Sequence, residues 1–268
     1  MTVLRMSHSN RPQPDTEGQI AAQGRSELRH LMHAGLKSIY FPIVELTNGT
    51  PVGYEALTRF ADGSPPQVRF EQARDLGLAR ELESAAIIAA IEQMESFENY
   101  PWLSLNISPT VLLDPPRELT EALARAPIPL VLELVEYESV ADYAALRRAR
   151  RTLSHSLERG VRWALDDVGA GAAGFSHLLE LPCSFIKLDR GLIKNLAGDA
   201  RRQALIAALA SFADAVGSEI IAEGVEYERQ RELLLELGVK LAQGYLFWRP
   251  PEARGGFGTT PAIDVNAE

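Results

Sequence analysis

The chain has 268 residues, of which 46% are hydrophobic and 24% are charged, proportions that are typical of a globular protein. Its formal net charge of −9 argues against general binding to nucleic-acid polymers, and its single cysteine excludes an internal disulfide or a cysteine-rich zinc site. The sequence contains no apolar run near the roughly 20 residues of a membrane span and no apolar signal-peptide core, so we expect a cytoplasmic protein that does not bind membranes.

The N-terminal part of the chain predicts a tail, a helix and then a hairpin. Residues 1–24 are polar and rich in Gln, Ser, Pro and Arg, which indicates a disordered tail, and residues 26–35 suit a short helix. Two extended runs, 38–46 and 52–60, flank Asn48-Gly49. Because Asn-Gly is a strong hairpin signal, we expect these first two strands to be antiparallel.

From the second strand onward, strands alternate with helices. We predict strands at 102–107, 130–135, 161–165, 185–188, 219–222 and 241–244, and helices at 71–94 with a break near Gly77, 114–126, 142–157, 175–179, 200–216 and 228–237. Such alternation is typical of a parallel sheet in an α/β fold. A polar residue ends nearly every strand, which indicates a barrel with its chemistry on one face. Residues 255–268 suit a flexible C-terminal tail.

Two adjacent acids, Asp166 and Asp167, end one apolar run and enter a turn that contains Gly169 and Gly171. Neighbouring anions at the end of a buried strand repel each other and are costly to desolvate. Divalent cations relieve that cost most strongly. The alternative interpretation is a pair of loop acids, one of which caps the next helix.

Other strands end in the same way, and the oxygen-bearing side chains among them suit Mg²⁺ or Mn²⁺ rather than zinc. The residues concerned are Glu55, Asn106, Glu133, Lys187 with Asp189, Glu223 and Gln243. A carboxylate shared by two ions is the usual arrangement in two-metal phosphodiester hydrolases. Alternatively, Glu55 and Arg59 form a surface ion pair, and Lys187 and Asp189 form a structural one.

Eight ordered segments resemble one known family. They read YFPIVEL, GYEALTRF, LSLNIS, LELVE, ALDDVGAG, FIKLD, IIAEGVE and AQGYLFWRP, between about Leu28 and Pro251. The chain resembles the EAL domain, the bacterial cyclic-di-GMP phosphodiesterase family that is named for the motif Glu55-Ala56-Leu57. The resemblance implies a modified TIM barrel with an antiparallel first strand over residues 25–254. It also implies two-metal hydrolysis of cyclic-di-GMP to linear pGpG, and a homodimer.

The resemblance also implies roles for single residues. Glu55, Asn106, Glu133 and Asp166 are similar to the ligands of one ion, and Asp166, Asp167 and Glu223 to those of the second, with Asp166 bridging. Lys187 and Gln243 are similar to residues that contact the attacking water, and Arg59 to a phosphate-binding arginine. Glu136 is similar to the glutamate that holds the loop after Asp167. Leu57, Asp189 and Glu226 are assigned to substrate binding by the same resemblance.

The chain departs from the family pattern near these residues. Phe41 stands where many members have Gln, Val135 where many have Thr, and Val168 where many have Phe, and Ala172-Ala173-Gly174 replaces the usual Tyr-Ser-Ser. A second hypothesis is therefore a catalytically weak EAL domain that binds cyclic-di-GMP as a receptor module. A third, an unrelated barrel lyase or sugar enzyme, requires the eight-segment match to be coincidental.

Overall fold

A closed barrel of eight strands, hydrogen-bonded in chain order, forms the centre of the protein. The structure is a computed structural model that describes residues 16–94, 101–135, 142–169 and 174–250. The strands are β1 (Lys37–Glu45), β2 (Pro51–Arg59), β3 (Leu103–Ile107), β4 (Leu130–Leu134), β5 (Val161–Val168), β6 (Phe185–Leu188), β7 (Glu219–Ala222) and β8 (Leu241–Ala242).

Helices surround the barrel and connect its strands. They are α1 (Thr16–Gly35), α2 (Pro66–Asp75), α3 (Ala79–Gln93), α4 (Pro109–Leu113), α5 (Arg117–Arg125), α6 (Tyr143–Ser156), α7 (Gly174–Glu180), α8 (Arg190–Ile193), α9 (Ala200–Val216) and α10 (Glu228–Glu236). The predicted break between α2 and α3 is confirmed, because Gly77 adopts the left-handed φ of +70° that glycine accommodates without strain.

The first strand is antiparallel, as the Asn48-Gly49 hairpin predicts. β1 pairs antiparallel with β2 on one side and with β8 on the other, whereas each remaining neighbouring pair is parallel. The fold is therefore an α/β barrel of the TIM type in which one strand is reversed. The carboxyl ends of β2 to β8 open at the same end of the barrel.

The inside of the barrel is filled at its other end by an apolar floor. Its residues are Ile43, Trp102, Val131, Ala164, Phe185, Ile221 and Leu241. The Trp102 and Phe185 rings stack with their centroids 5.1 Å apart, and the Arg162 guanidinium lies 5.1 Å and 4.8 Å from those two rings. A larger apolar layer separates the outer face of the barrel from the helices. Among the described residues, the floor fills the amino end of the barrel, and the carboxyl end is where a ligand can enter.

Several predicted boundaries are wrong. The predicted disordered tail over 1–24 does not hold for residues 16–24, because α1 begins at Thr16. Ile20 is 67% exposed, so tertiary packing does not explain this extension. The helix instead grows outward from the fully buried Leu28, since each added residue gains a backbone hydrogen bond once a helix has nucleated. The short helices α4 and α8 were not predicted.

The aspartate pair lies within a strand and not in a loop. β5 continues to Val168, and α7 begins only at Gly174, so the interpretation of Asp166 and Asp167 as loop acids that cap a helix is wrong. Within the described part of the chain, none of the helices combines the length and the apolar character that crossing a membrane requires.

Candidate active site

A layer of polar side chains lies directly above the apolar floor. Side chains two residues apart point to the same face of a strand, so the residue two positions beyond each floor residue also points into the barrel. On five parallel strands the pairs are Val131 with Glu133, Ala164 with Asp166, Phe185 with Lys187, Ile221 with Glu223 and Leu241 with Gln243. Glu55 and Asn106 complete the layer from β2 and β3. The polar residues that end the predicted strands therefore lie at one level of the barrel.

Lys187 lies at the centre of this layer. Its Nζ atom is 2.6 Å from Glu133 Oε2, 2.8 Å from Glu223 Oε1, 3.0 Å from Asp166 Oδ1 and 3.3 Å from Glu55 Oε1. Burial of the ammonium lowers its pKa, but these carboxylates outweigh burial and raise the pKa of Lys187 well above its usual value. In this arrangement Lys187 is a fixed cation at neutral pH.

Amide and hydroxyl groups bind the remaining carboxylate oxygens. Gln243 Nε2 donates to Glu55 Oε2 at 2.7 Å and to Glu223 Oε1 at 3.1 Å. Asn106 Nδ2 donates to Glu55 Oε1 at 3.2 Å, and Ser104 Oγ donates to Glu133 Oε1. Ser104 was not assigned to the site from the sequence. The signal was available, because Ser104 and Asn106 alternate with Leu103, Leu105 and Ile107 and so share the inner face.

The buried acids compete for one nearby cation. Burial raises the pKa of Glu133 well above its usual value, assisted by Glu55 and Asp166 and opposed by Lys187. Burial likewise raises the pKa of Glu223 to about 8, against the effect of Lys187. Burial also favours a higher pKa for Glu55. The charge of Lys187 and the hydrogen bonds from Gln243 and Asn106 outweigh burial and hold the pKa of Glu55 below its usual value. Burial thus opposes the negative charge of Glu133 and Glu223 more strongly than the single ammonium of Lys187 favours it.

A backbone irregularity turns Asp167 toward its neighbour Asp166. Consecutive side chains of a regular strand point to opposite faces, yet the register of β5 against β6 shifts between Leu165 and Val168, and Asp167 has a φ of +54°. As a result, oxygen atoms of Asp166, Asp167 and Glu223 lie within 4.8 Å of one another. Burial, with the charge of Asp166, raises the pKa of Asp167 to about 6.

The site's donor set suits a hard divalent cation. It offers carboxylate and amide oxygens, which Mg²⁺, Mn²⁺ and Ca²⁺ prefer, and the described residues around it offer no thiolate or imidazole ligand. Five acids face the single ammonium of Lys187. Within the described site the buried Gln243 Oε1 accepts no hydrogen bond, and Asp166 Oδ1 has the shared Lys187 ammonium at 3.0 Å but no hydrogen bond of its own. A divalent cation would supply the missing partner and charge, so the residues present fit one.

A side cavity of about 540 Å³ adjoins the acidic layer. Leu57, Arg59, Asn106 and Asp166 line it, together with residues of α2 and α3. Arg59 Nη1 also donates to the Thr58 carbonyl at 3.0 Å. The cavity therefore connects the acids to a cationic side chain, and this arrangement would hold an anionic group beside the acidic layer. Because Glu55 is only 4% exposed, the interpretation of Glu55 and Arg59 as a surface ion pair is wrong.

The remaining predicted site residues are Asp189, Glu226 and Glu136. β6 ends at Leu188, and Asp189 caps α8 by accepting a hydrogen bond from the Gly191 N–H at 2.8 Å. Of the described acids, Lys187 pairs with the four named above and not with Asp189, so the predicted Lys187–Asp189 ion pair is wrong. Glu226 has an exposed side chain. Glu136 lies outside the described residues.

The fold and the site together define an α/β barrel with a carboxylate-rich site at the carboxyl ends of its strands. The sequence model of the EAL domain family matches residues 25–250. The chain belongs to the EAL domain family.

Similar proteins agree with that membership. The chain is 30% identical over 227 residues to the bifunctional diguanylate cyclase/cyclic di-GMP phosphodiesterase MucR of Pseudomonas aeruginosa, covering 80% of this chain and 33% of MucR. A solved MucR phosphodiesterase structure in complex with c-di-GMP matches with a TM-score of 0.72 and 30% identity, over 85% of this chain and 97% of that one.

A calcium and cyclic-di-GMP complex of Klebsiella pneumoniae BlrP1 matches with a TM-score of 0.71 and 26% identity, over 82% of this chain and 57% of that one. The chain spans roughly a quarter to a third of the length of the first curated relatives that it matches.

Proposed function

We propose that this protein hydrolyses cyclic-di-GMP to linear pGpG. In this reaction water attacks one phosphorus of the cyclic dinucleotide, one ring P–O bond breaks, and a 3′-hydroxyl leaves. The observation that carries the proposal is the polar layer at the open end of an EAL barrel, in which Glu55, Glu133 and Asp166 are buried and Asn106 and Glu223 are half-buried. The relationship to MucR supports the choice of substrate.

We further propose two divalent cations, Mg²⁺ or Mn²⁺, as cofactors. Glu55, Asn106, Glu133 and Asp166 would hold one ion, and Asp166, Asp167 and Glu223 the other. The proximity of the last three oxygens, within 4.8 Å, supports the second set. When bound, two such ions activate water and neutralise charge that develops on the phosphate oxygens.

The chain's own residues would position water and substrate. Gln243 lies against Glu55 and Glu223, where its amide can orient a water molecule, and Arg59 in the side cavity can bind a phosphate oxygen. Leu57 lines the same cavity and would contact the nucleotide.

Lys187 is held as a cation by its carboxylate neighbours. Once those carboxylates are neutralised, burial becomes the main influence on its pKa and favours loss of the proton. Lys187 can then orient the water or accept its proton.

Other assignments rest on the resemblance alone. We propose that Glu136 holds the loop after Asp167, that Asp189 and Glu226 contribute to substrate binding, and that the protein is a cytoplasmic homodimer. Light scattering of the purified protein tests the dimer directly, and a monomer at micromolar concentration would remove that part of the proposal.

A direct assay tests the activity. Purified protein is incubated with Mn²⁺ and cyclic-di-GMP, and chromatography follows the formation of pGpG. We expect product from the wild-type protein and none from Glu55→Ala or Asp166→Ala, while Glu121→Ala, on the surface of α5, serves as the control. Retained cyclic-di-GMP binding without product, even at high protein concentration, would favour the receptor module instead. The sequence 170–173, which carries no polar side chain, is the feature that keeps that alternative open.

A further inference from the structure

One face of α6 carries a row of polar contacts that the proposed chemistry does not use. Tyr143, Arg147, Arg150 and Ser154 are spaced at i, i+4, i+7 and i+11, so they lie along one side of the helix. We call these four residues the α6 stripe. Each of them contacts either β5 or the segment formed by α7 and the residues that follow it.

The first two residues of the stripe hold α7. Tyr143 Oη lies 2.7 Å from His177 Nδ1, and the two rings meet edge to face with centroids 5.5 Å apart. Arg147 Nη1 lies 2.6 Å from Glu180 Oε2 and donates to the Glu180 carbonyl at 3.1 Å. His177 is only 2% exposed, and burial lowers its pKa, which favours the neutral ring. α7 is therefore fixed to α6 at two points along its length.

The other two residues hold β5 and the exit of α7. The Arg150 guanidinium donates to the Pro182 carbonyl and lies 4.5 Å from the centre of the Trp163 ring. Ser154 Oγ accepts a hydrogen bond from Trp163 Nε1 at 3.1 Å. Trp163 precedes Asp166 by three residues on β5. One helix face thus fixes both the strand that leads into the aspartate pair and the helix that comes after it.

This arrangement matters because the intervening sequence offers no side-chain hydrogen bonds of its own. Residues 170–173 read Ala-Gly-Ala-Ala. The five peptide steps from Gly169 to Gly174 reach at most about 18 Å. α7 itself packs against β5, so the α6 stripe contacts the described residues on both sides of this segment.

We propose that Tyr143 and Arg147 are positioning residues for Asp167, acting through α7. This inference rests on the proposed function, since it assigns to the α6 stripe the task of holding Asp167 where it can bind the second cation. Residues that support metal ligands affect metal affinity strongly when they are altered, about 10- to 100-fold. A stripe that only packs two helices together would affect stability and leave metal affinity unchanged.

A charge swap separates these two roles. Arg147→Glu places two carboxylates together, and we expect the Mn²⁺ concentration for half-saturation, measured directly by electron paramagnetic resonance, to rise about tenfold. The double variant Arg147→Glu/Glu180→Arg restores the ion pair in reverse and should return to within about twofold of wild type. The Arg147 and Glu180 side chains are 35% and 49% exposed, so their ion pair contributes little to stability. We therefore expect the single and the double variant to keep nearly the wild-type Tm.

The matched control is Arg117→Glu, which breaks the exposed Arg117–Glu121 pair on α5, 2.6 Å long and outside the stripe. It should bind Mn²⁺ as wild type does. Tyr143→Phe, which removes only the hydroxyl, should weaken Mn²⁺ binding in the same direction and decides the matter if Arg147→Glu does not fold. Wild-type Mn²⁺ affinity in the folded variants would overturn this proposal alone, whereas a wild-type protein that forms no pGpG would overturn the proposed function.

Discussion

Lys187 Nζ lies 2.6 Å from Glu133 Oε2 inside the barrel, where the two side chains are 1% and 0% exposed. Both charges are therefore removed from water and depend on each other and on the surrounding polar groups. Buried pairs of this kind contribute little net stability when intact, but removal of one partner leaves an uncompensated charge. The relationship makes Lys187 the group on which the stability of the cation-free acidic layer depends.

Replacement of Lys187 should destabilise the metal-free protein. In Lys187→Met the four acids around Nζ lose their cation, and we expect the free energy of unfolding in urea with EDTA to fall by about 3–5 kcal/mol, less whatever the acids recover by taking up protons. Mn²⁺ should restore part of that loss, because it supplies positive charge to the same oxygens. Lys240→Met, at the opposite end of the barrel, is the control. A loss that is identical with and without Mn²⁺ would show that the acids do not bind the ion.

Glu223 should make the metal-free protein less stable as the pH rises. Its pKa is about 8 in the folded protein against an ordinary value of 4.5, so the folded state retains a proton that the unfolded state releases. The stabilisation is fully present below pH 4.5 and is lost as the pH approaches 8, at up to about 1.4 kcal/mol per pH unit.

Comparison with Glu223→Gln isolates this contribution. Urea unfolding of both metal-free proteins at several pH values between 5 and 8 should show the stability of wild type falling relative to the variant. Two curves that remain parallel across this interval would contradict the raised pKa of Glu223.

Asp167 should combine a stability cost with a binding role. Its φ of +54° lies in the left-handed region, which costs ordinary residues roughly 1–2 kcal/mol but is tolerated by glycine and often by Asn and Asp. Asp167→Gly should therefore keep or increase the free energy of unfolding while weakening Mn²⁺ binding. Asp167→Ala should weaken binding equally and also destabilise. Calorimetric Mn²⁺ titration beside urea unfolding measures both quantities, and equal stability of the two variants would argue against the left-handed backbone.

The floor of the barrel should tolerate no side chain at position 53. A Cβ added to Gly53 would lie 2.2 Å from Cε2 of Trp102, whose ring stacks on Phe185. We expect Gly53→Ala to destabilise by about 1–3 kcal/mol or more, because overpacking displaces neighbouring rings. Gly198→Ala meets no heavy atom within 4 Å and serves as the control. Near-equal urea midpoints for the two variants would contradict this packing of the floor.

Much of the fold follows from local sequence features. The Asn48-Gly49 hairpin predicts the reversed first strand, and the alternation of strands with helices predicts the parallel remainder. Boundaries were less predictable. Hydrophobicity predicts that β5 ends before Asp166 and Asp167, because both residues are charged. The strand nevertheless continues through them, since a bulge between Leu165 and Val168 accommodates the pair. α1 begins earlier than composition indicates, since helix growth from a buried anchor needs no apolar sequence.

The sequence by itself determined which side chains share a face of a strand and that oxygen-bearing side chains end the strands, because the two-residue period of a strand is a local property. Only the tertiary structure decided that Lys187 lies among four carboxylates, that Gln243 binds Glu55 from 188 positions away, and that one face of α6 holds both sides of the aspartate pair. Those contacts join residues far apart in the chain, and their distances are set by barrel closure and strand register, which no local pattern contains.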